Sequence, residues 1–218
     1  MCGMYAVSAI LAALYERAGC IRGKPGTLTQ LPILTMPGDD IGHPIPDLTG
    51  YITEGQIVLD RALDRRGVYP PINVLPSLSR LFDQGTGKGY THADHPALAH
   101  QLFASYAKAT RVRVLASVVG QEGLTASDRR YLAFADRFER ELVAQEGARH
   151  LDESMAVGWR LLGDLPRGEL SRLNDAQIAR RCGCDARRAR RLLHRPGAPR
   201  RPGAARRRAG GRRDTAGS

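Results

Sequence analysis

The sequence predicts an α/β segment followed by a helical bundle and a basic tail. Three observations carry that reading. Short apolar, β-favouring runs separated by proline- and glycine-rich turns fill the first 90 residues. From about His95, apolar residues recur at three- and four-residue steps, as on the buried stripe of a helix. Beyond Arg167 the chain is mainly Arg, Pro, Gly and Ala, with little to bury, so disorder is expected there. The expected boundaries are therefore 1–90, 91–166 and 167–218.

The elements follow in order. MYAVSAILAALY (4–15) reads as a helix with Ile10, Leu11 and Leu14 on a buried face. It falls short of the roughly 20 apolar residues a membrane span needs. It also lacks the basic start and cleavage site of a signal peptide. LTQLPILTM (28–36) reads as a strand weakened by Pro32, which has no N–H to give a ladder. PGDDIGHPIPDLTG (37–50) reads as a loop by its Pro, Gly and Asp density, and YITEGQIVL (51–59) as a second strand. DRALDRRG is a short helix ending at Gly67, and VYPPINVLPSLSRL is extended. In the second region PALAHQLFASYAKA is helical. DRRYLAFADRFERELVAQE follows with Tyr131, Ala135, Phe138 and Leu142 on one stripe and Ser127 as N-cap. DESMAVGWRLL adds Met155, Trp159 and Leu162, while VRVLASVVG (112–120) fits helix or strand equally.

Charge separates the regions. The formal net charge is +11, yet positions 1–166 hold 17 of the 33 basic and 18 of the 22 acidic residues. The basic character belongs to the tail, so nucleic acid has no clustered basic face to meet in the body. The tail itself fits two origins equally: a basic arm, or a shifted reading frame of GC-rich DNA. Cys2, Cys20, Cys182 and Cys184 make no disulfide framework, and Cys182-Gly183-Cys184 lacks the second pair of a zinc site. The six histidines show no metal spacing.

Two candidates could meet a phosphate. A Walker A loop requires G-x-x-x-x-G-K-[ST], but with Lys88 as its lysine the first position is Phe82 and the last is Gly89. Gly85–Gly89 is therefore a turn and Lys88 a solvated charge. Arg80 ends an apolar extended run, where its charge requires a partner. Taken alone, the residue calls for a neighbouring carboxylate.

LTQLPILTMPGDDIGHPIPDLTGYITEGQIVLDRALDRRGVYPPINVLPSLSRLF resembles the B subunits of V-type (vacuolar and archaeal-type) rotary ATP synthases. YERAG (15–19), GKG (87–89), DRRYLAFADRFERELV (128–143) and LPRGEL (165–170) extend the resemblance over residues 14–173. It implies part of a RecA-like nucleotide-binding domain followed by a C-terminal helical domain. It further implies a non-catalytic B subunit that alternates with the catalytic A subunit in an A3B3 ring around central stalk subunits, cytoplasmic and peripheral to the membrane. ATP or ADP with Mg would lie at the interface with the A subunit, in proton-coupled synthesis or hydrolysis. Arg80 of the SLSR motif would be the arginine finger in trans, since a planar guanidinium holds two phosphoryl oxygens at once. Ser77 and Ser79 would either orient it or stabilise the turn. Asp39 and Asp40 would either face the rotor or form a solvated acidic turn. The family's β-barrel and first half of the nucleotide-binding domain have no counterpart here, and a fragment gene, a frame-disrupted copy or an incomplete gene model is expected to explain both ends together. Two further readings stand beside this one: a nucleic-acid-binding protein working through its tail, and a non-functional fragment.

Overall fold

The computed structural model describes residues 2–181. The expectations for the tail beyond Arg181, and for the Cys182–Cys184 pair, lie outside them. Helix α1 (Cys2–Tyr15) opens the chain, followed by an extended stretch with a single bridge between Gly19 and Leu28. Helix α2 (Pro44–Ile52), strand β1 (Gly55–Leu59), helix α3 (Arg61–Arg65) and strand β2 (Ile72–Ser79) come next. A short turn of helix, α4 (Phe82–Gly85), leads to α5 (His95–Val119), α6 (Ala126–Arg137), α7 (Leu151–Leu162) and α8 (Asp175–Arg181).

Several expectations are corrected. Residues 28–36 form no strand: the described sheet is the antiparallel ribbon β1–β2 alone, and Leu31 and Ile33 stand exposed. An extended run with Pro32 inside needs a neighbouring strand to become a ladder, and none lies beside it among the described residues. The second half of the loop expected over 37–50 is helix α2. Two prolines in its first turn carry a φ suited to helix starts, and the His43 side chain accepts the Ile45 N–H. Tyr51 and Ile52 end that helix, so β1 begins only at Gly55. In α1, Ile10 and Leu14 are exposed rather than buried. Helix α3 forms as expected, with the Asp60 carboxylate capping the Ala62 N–H at 2.7 Å and Gly67 at positive φ just beyond.

The ribbon is irregular in a defined place. Its register slips between Gln56 and Val58, and there the Val58 N–H donates to Ser77 Oγ at 3.0 Å. Gly55 is required at the other end, because a Cβ there would sit 2.8 Å from the Leu78 carbonyl oxygen.

The core lies in the helical region. Leu98, Leu102, Tyr106, Ala109 and Val112 line one face of α5, and the ambiguous 112–119 run continues that helix. Tyr131, Phe134, Ala135 and Phe138 face it, as do Met155, Trp159, Leu161 and Leu162 of α7. Tyr106 stacks on Phe138 with ring centroids 4.6 Å apart. Helices α5 and α7 pack so closely at Gly158 that an added Cβ would lie 2.8 Å from Leu102 Cδ1. Helix α6 starts earlier than expected: Thr125, not Ser127, is the N-cap, in a reciprocal capping box with Asp128. After Arg137 the helix widens into a π segment (Phe138–Val143).

The boundary expected at Arg167 falls short of the folded region. Leu170, Leu173 and Ile178 are buried in the same core. Gln101 on α5 fixes this return by donating to the Glu169 carbonyl at 3.1 Å and accepting the Arg172 N–H at 2.9 Å.

Candidate functional site

Arg80 follows the last residue of β2 and is exposed. Its backbone N–H donates to the Glu54 carbonyl at 2.8 Å, which prolongs the ribbon by one bond. Its guanidinium turns to the C-terminal end of α2, where Nη1 donates to the Thr53 carbonyl and Nη2 to the Gly50 carbonyl. The carboxylate partner that a lone arginine calls for is thus replaced by two backbone carbonyls. The negative end of a helix dipole is a natural seat for a cation. A guanidinium has five N–H donors, so these two bonds leave donors on Nε and on both Nη groups.

The serines divide. Ser77 Oγ donates to the Asn73 carbonyl at 2.6 Å while accepting Val58 N–H, so it holds the ribbon's irregularity together. Ser79 is exposed and pairs with Gly55 at the ribbon's end, next to Arg80. Asp39 and Asp40 lie elsewhere, on the 3-10 turn Pro37–Asp39 and just after it. Asp39 has positive φ and pairs with Arg61 at 3.0 Å, and Asp40 accepts the Gly42 N–H at 2.8 Å. Asp39 also lines a cleft of about 210 Å³ with Met36, Asp60 and Asn73.

The glycine loop forms a closed turn. Gly87 is buried, and its N–H donates to Thr91 Oγ1 at 2.8 Å. Tyr90 and Thr91 both return their N–H groups to the Gly87 carbonyl. A phosphate cradle needs amides converging on open space, and here the Gly85, Gly87, Tyr90 and Thr91 amides serve the turn.

Sequence reasoning passed over a buried carboxylate with four hydrogen bonds. Glu139, in the π segment, is 3% exposed. It accepts from Tyr106 Oη at 2.8 Å, Arg113 Nη1 at 2.9 Å, and Arg66 Nη1 and Nη2 at 2.7 and 3.2 Å. Burial alone would raise its pKa. The Arg113 and Tyr106 hydrogen bonds, the Arg113 charge and the Arg66 bond outweigh that and hold it below the ordinary 4.5. The signal was present in the spacing: 139 follows 131 and 135 in steps of four, putting a carboxylate on an apolar stripe. A second set joins Tyr131 Oη and Lys108 to Glu169 at 3.0 and 2.8 Å.

Comparison with known proteins accounts for this arrangement in two successive pieces. Residues 5–79 match the ATP synthase alpha/beta family, nucleotide-binding domain, and residues 84–181 match the C-terminal domain of V and A type ATP synthase. The class is therefore a nucleotide-binding-domain segment joined to a V/A-type helical domain. Among relatives, the B subunit of the A-type ATP synthase of Methanopyrus kandleri is 61% identical over 170 residues, 77% of this chain and 17% of the relative. The V-type ATP synthase beta chain of Anaeromyxobacter sp. is 59% identical over 172 residues, 78% of this chain and 37% of the relative. The solved ATP synthase subunit NeqB from Nanoarcheaum equitans superposes with a TM-score of 0.66 at 41% identity, covering 73% of this chain and 40% of that one. Over residues 5–181 the chain belongs to the B-subunit family of the V/A-type ATP synthases, and it spans well under half the length of these relatives. No helix of the described residues is long and apolar enough to cross a membrane.

Proposed function

We propose that this chain acts as a non-catalytic B-type subunit that presents Arg80 to the γ-phosphate of ATP held by a neighbouring catalytic subunit. The observation that carries the reading is the guanidinium itself: exposed, steered by two carbonyls of α2, and with donors remaining on three nitrogens. Anchoring of this kind lowers the ordering cost of meeting a ligand. A planar fork then suits two oxygens of a transferring phosphoryl group, whose charge spreads over its equatorial oxygens.

The fit to nucleotide is one-sided. This chain offers the terminal phosphate a cation, while its glycine loop serves its own turn. Among the described residues no cluster of three His, Cys, Asp or Glu is arranged for a metal. Bound Mg-ATP would supply the phosphoryl group, and its phosphate cradle and metal ligands would come from the neighbouring subunit. Within this chain, Arg80 orients and neutralises, Ser77 keeps the β1–β2 irregularity in place, and Ser79 flanks the finger at the ribbon's end. Asp39 and Asp40 are proposed to face the central shaft, where an exposed acidic turn suits basic partners. The test measures ATP hydrolysis by the full chain mixed with the catalytic A subunit. Activity that needs both chains and is lost with Arg80→Ala is expected. Hydrolysis by this chain alone, or a parental rate with Arg80→Ala, overturns the proposal.

A further inference from the structure

We infer that Arg66 is a positioning residue that latches the Arg80-bearing ribbon to the helical region through the buried Glu139 carboxylate. Its functional meaning rests on the role proposed for Arg80, but the latch itself does not.

Glu139 is satisfied from two sides. Tyr106 and Arg113 reach it from α5, within the helical region. Arg66 reaches it from the C-cap of α3, 73 residues away in sequence, and grips both oxygens. A two-point guanidinium–carboxylate contact fixes orientation as well as distance. A second tie lies close by, where Gln145 N–H, just after the π segment, donates to the Tyr69 carbonyl at 3.0 Å.

From Arg66 a series of hydrogen bonds leads into the ribbon as far as Ser77, three residues before the finger. Arg66 Nε donates to the Ala62 carbonyl, and Ala62 N–H is capped by Asp60. The other Asp60 oxygen accepts from Asn73 Nδ2 at 3.0 Å. The Asn73 carbonyl accepts from Ser77, which in turn holds β1 at Val58. Arg80 follows three residues on.

Apolar packing competes for the same role, because Val74 and Leu75 rest on the helical core. Both are only partly buried, and nondirectional contact resists separation better than rotation or sliding. One face of β1 is open, with Ile57 and Leu59 70% and 57% exposed, so apolar contact reaches that strand from its other face alone. The two-point bond to Glu139 adds the directional hold on the helical region that these contacts lack.

Hydrogen exchange on the full chain, without nucleotide or partner, tests the latch. Arg66→Gln is expected to speed exchange across residues 54–80, including the Arg80 amide, by about fivefold or more, with α5–α7 unchanged. Arg66→Lys, which keeps a charge but not the fork, is expected to recover part of that protection. Arg61→Gln, which removes an exposed ion pair with Asp39 from the same helix, is expected to change exchange over 54–80 far less than Arg66→Gln. Unchanged exchange over 54–80 in Arg66→Gln overturns the inference. So does equal loss over 54–80 and α5–α7, and so does an Arg61→Gln effect as large as that of Arg66→Gln. Because no ATP is present, these outcomes are independent of whether Arg80 serves a neighbour's site.

Discussion

Replacing Glu139 with glutamine keeps the side-chain shape and removes its charge, so it measures what the buried carboxylate contributes. In the parent, one carboxylate answers two guanidinium groups and a phenol. The amide leaves two cations facing a neutral group and turns one of its acceptor positions into a donor. Breaking a buried ion pair costs about 3–5 kcal/mol, but the Arg113 and Arg66 side chains are 33% and 44% exposed, so solvent screens part of that. We expect about 2–4 kcal/mol, or a urea midpoint lowered by about 1–2 M for a slope near 2 kcal/mol/M. The single tryptophan, Trp159, is buried in the same core and reports unfolding by its fluorescence. The pH dependence has a definite sign. A carboxylate whose folded pKa is held below 4.5 contributes stability that is present above that value and is lost as pH falls through the folded pKa. The gap between parent and Glu139→Gln should therefore be full at pH 7 and narrow below about pH 4.5. A variant within about 0.5 kcal/mol of the parent at pH 7, or a gap that is constant down to pH 3, would mean that the Glu139 charge does not stabilise the fold.

Two further outcomes follow from the same region. Gly158→Ala should destabilise the fold by about 1–3 kcal/mol in the same urea assay, because its Cβ would meet Leu102 Cδ1 at 2.8 Å in a packed core. Burial, reinforced by Glu139 and Glu169, raises the pKa of the Tyr106 and Tyr131 phenols above the ordinary 10. Groups with raised pKa stabilise the fold below pH 10 and lose that contribution as pH rises further. Absorbance titration to pH 11 should thus show fewer than the seven tyrosines of the sequence ionising before the chain unfolds.

The helical region was legible because its stripes are long. Tyr131, Ala135, Phe138, Met155, Trp159 and Leu162 are buried as their spacing predicts. The first region was less so. Leu31 and Ile33 carry strand propensity without a neighbour to pair with, and propensity alone does not make a ladder. Pro44 and Pro46 read as loop residues when counted, yet as helix starters once placed in the first turn of α2. Leu170 and Ile178 were hidden because their surroundings are arginine-rich, while burial is decided residue by residue. Arg80 was visible through the SLSR resemblance. Its anchoring to Gly50 and Thr53 was not, because backbone carbonyls at a helix end leave no mark in composition. Glu139 was passed over because a carboxylate on an apolar stripe acquires meaning only when its partners, Arg66 and Arg113, are known.

The proposed role of Arg80 is best tested by single-turnover ATP hydrolysis in a mixture of this chain with a catalytic A subunit, comparing the parent with Arg80→Lys and Arg80→Ala. Both variants are expected to slow the chemical step by at least about a thousandfold, with nucleotide affinity changed far less. Lysine should rescue little, because it supplies a charge without the planar fork. A parental rate in Arg80→Ala would contradict that role.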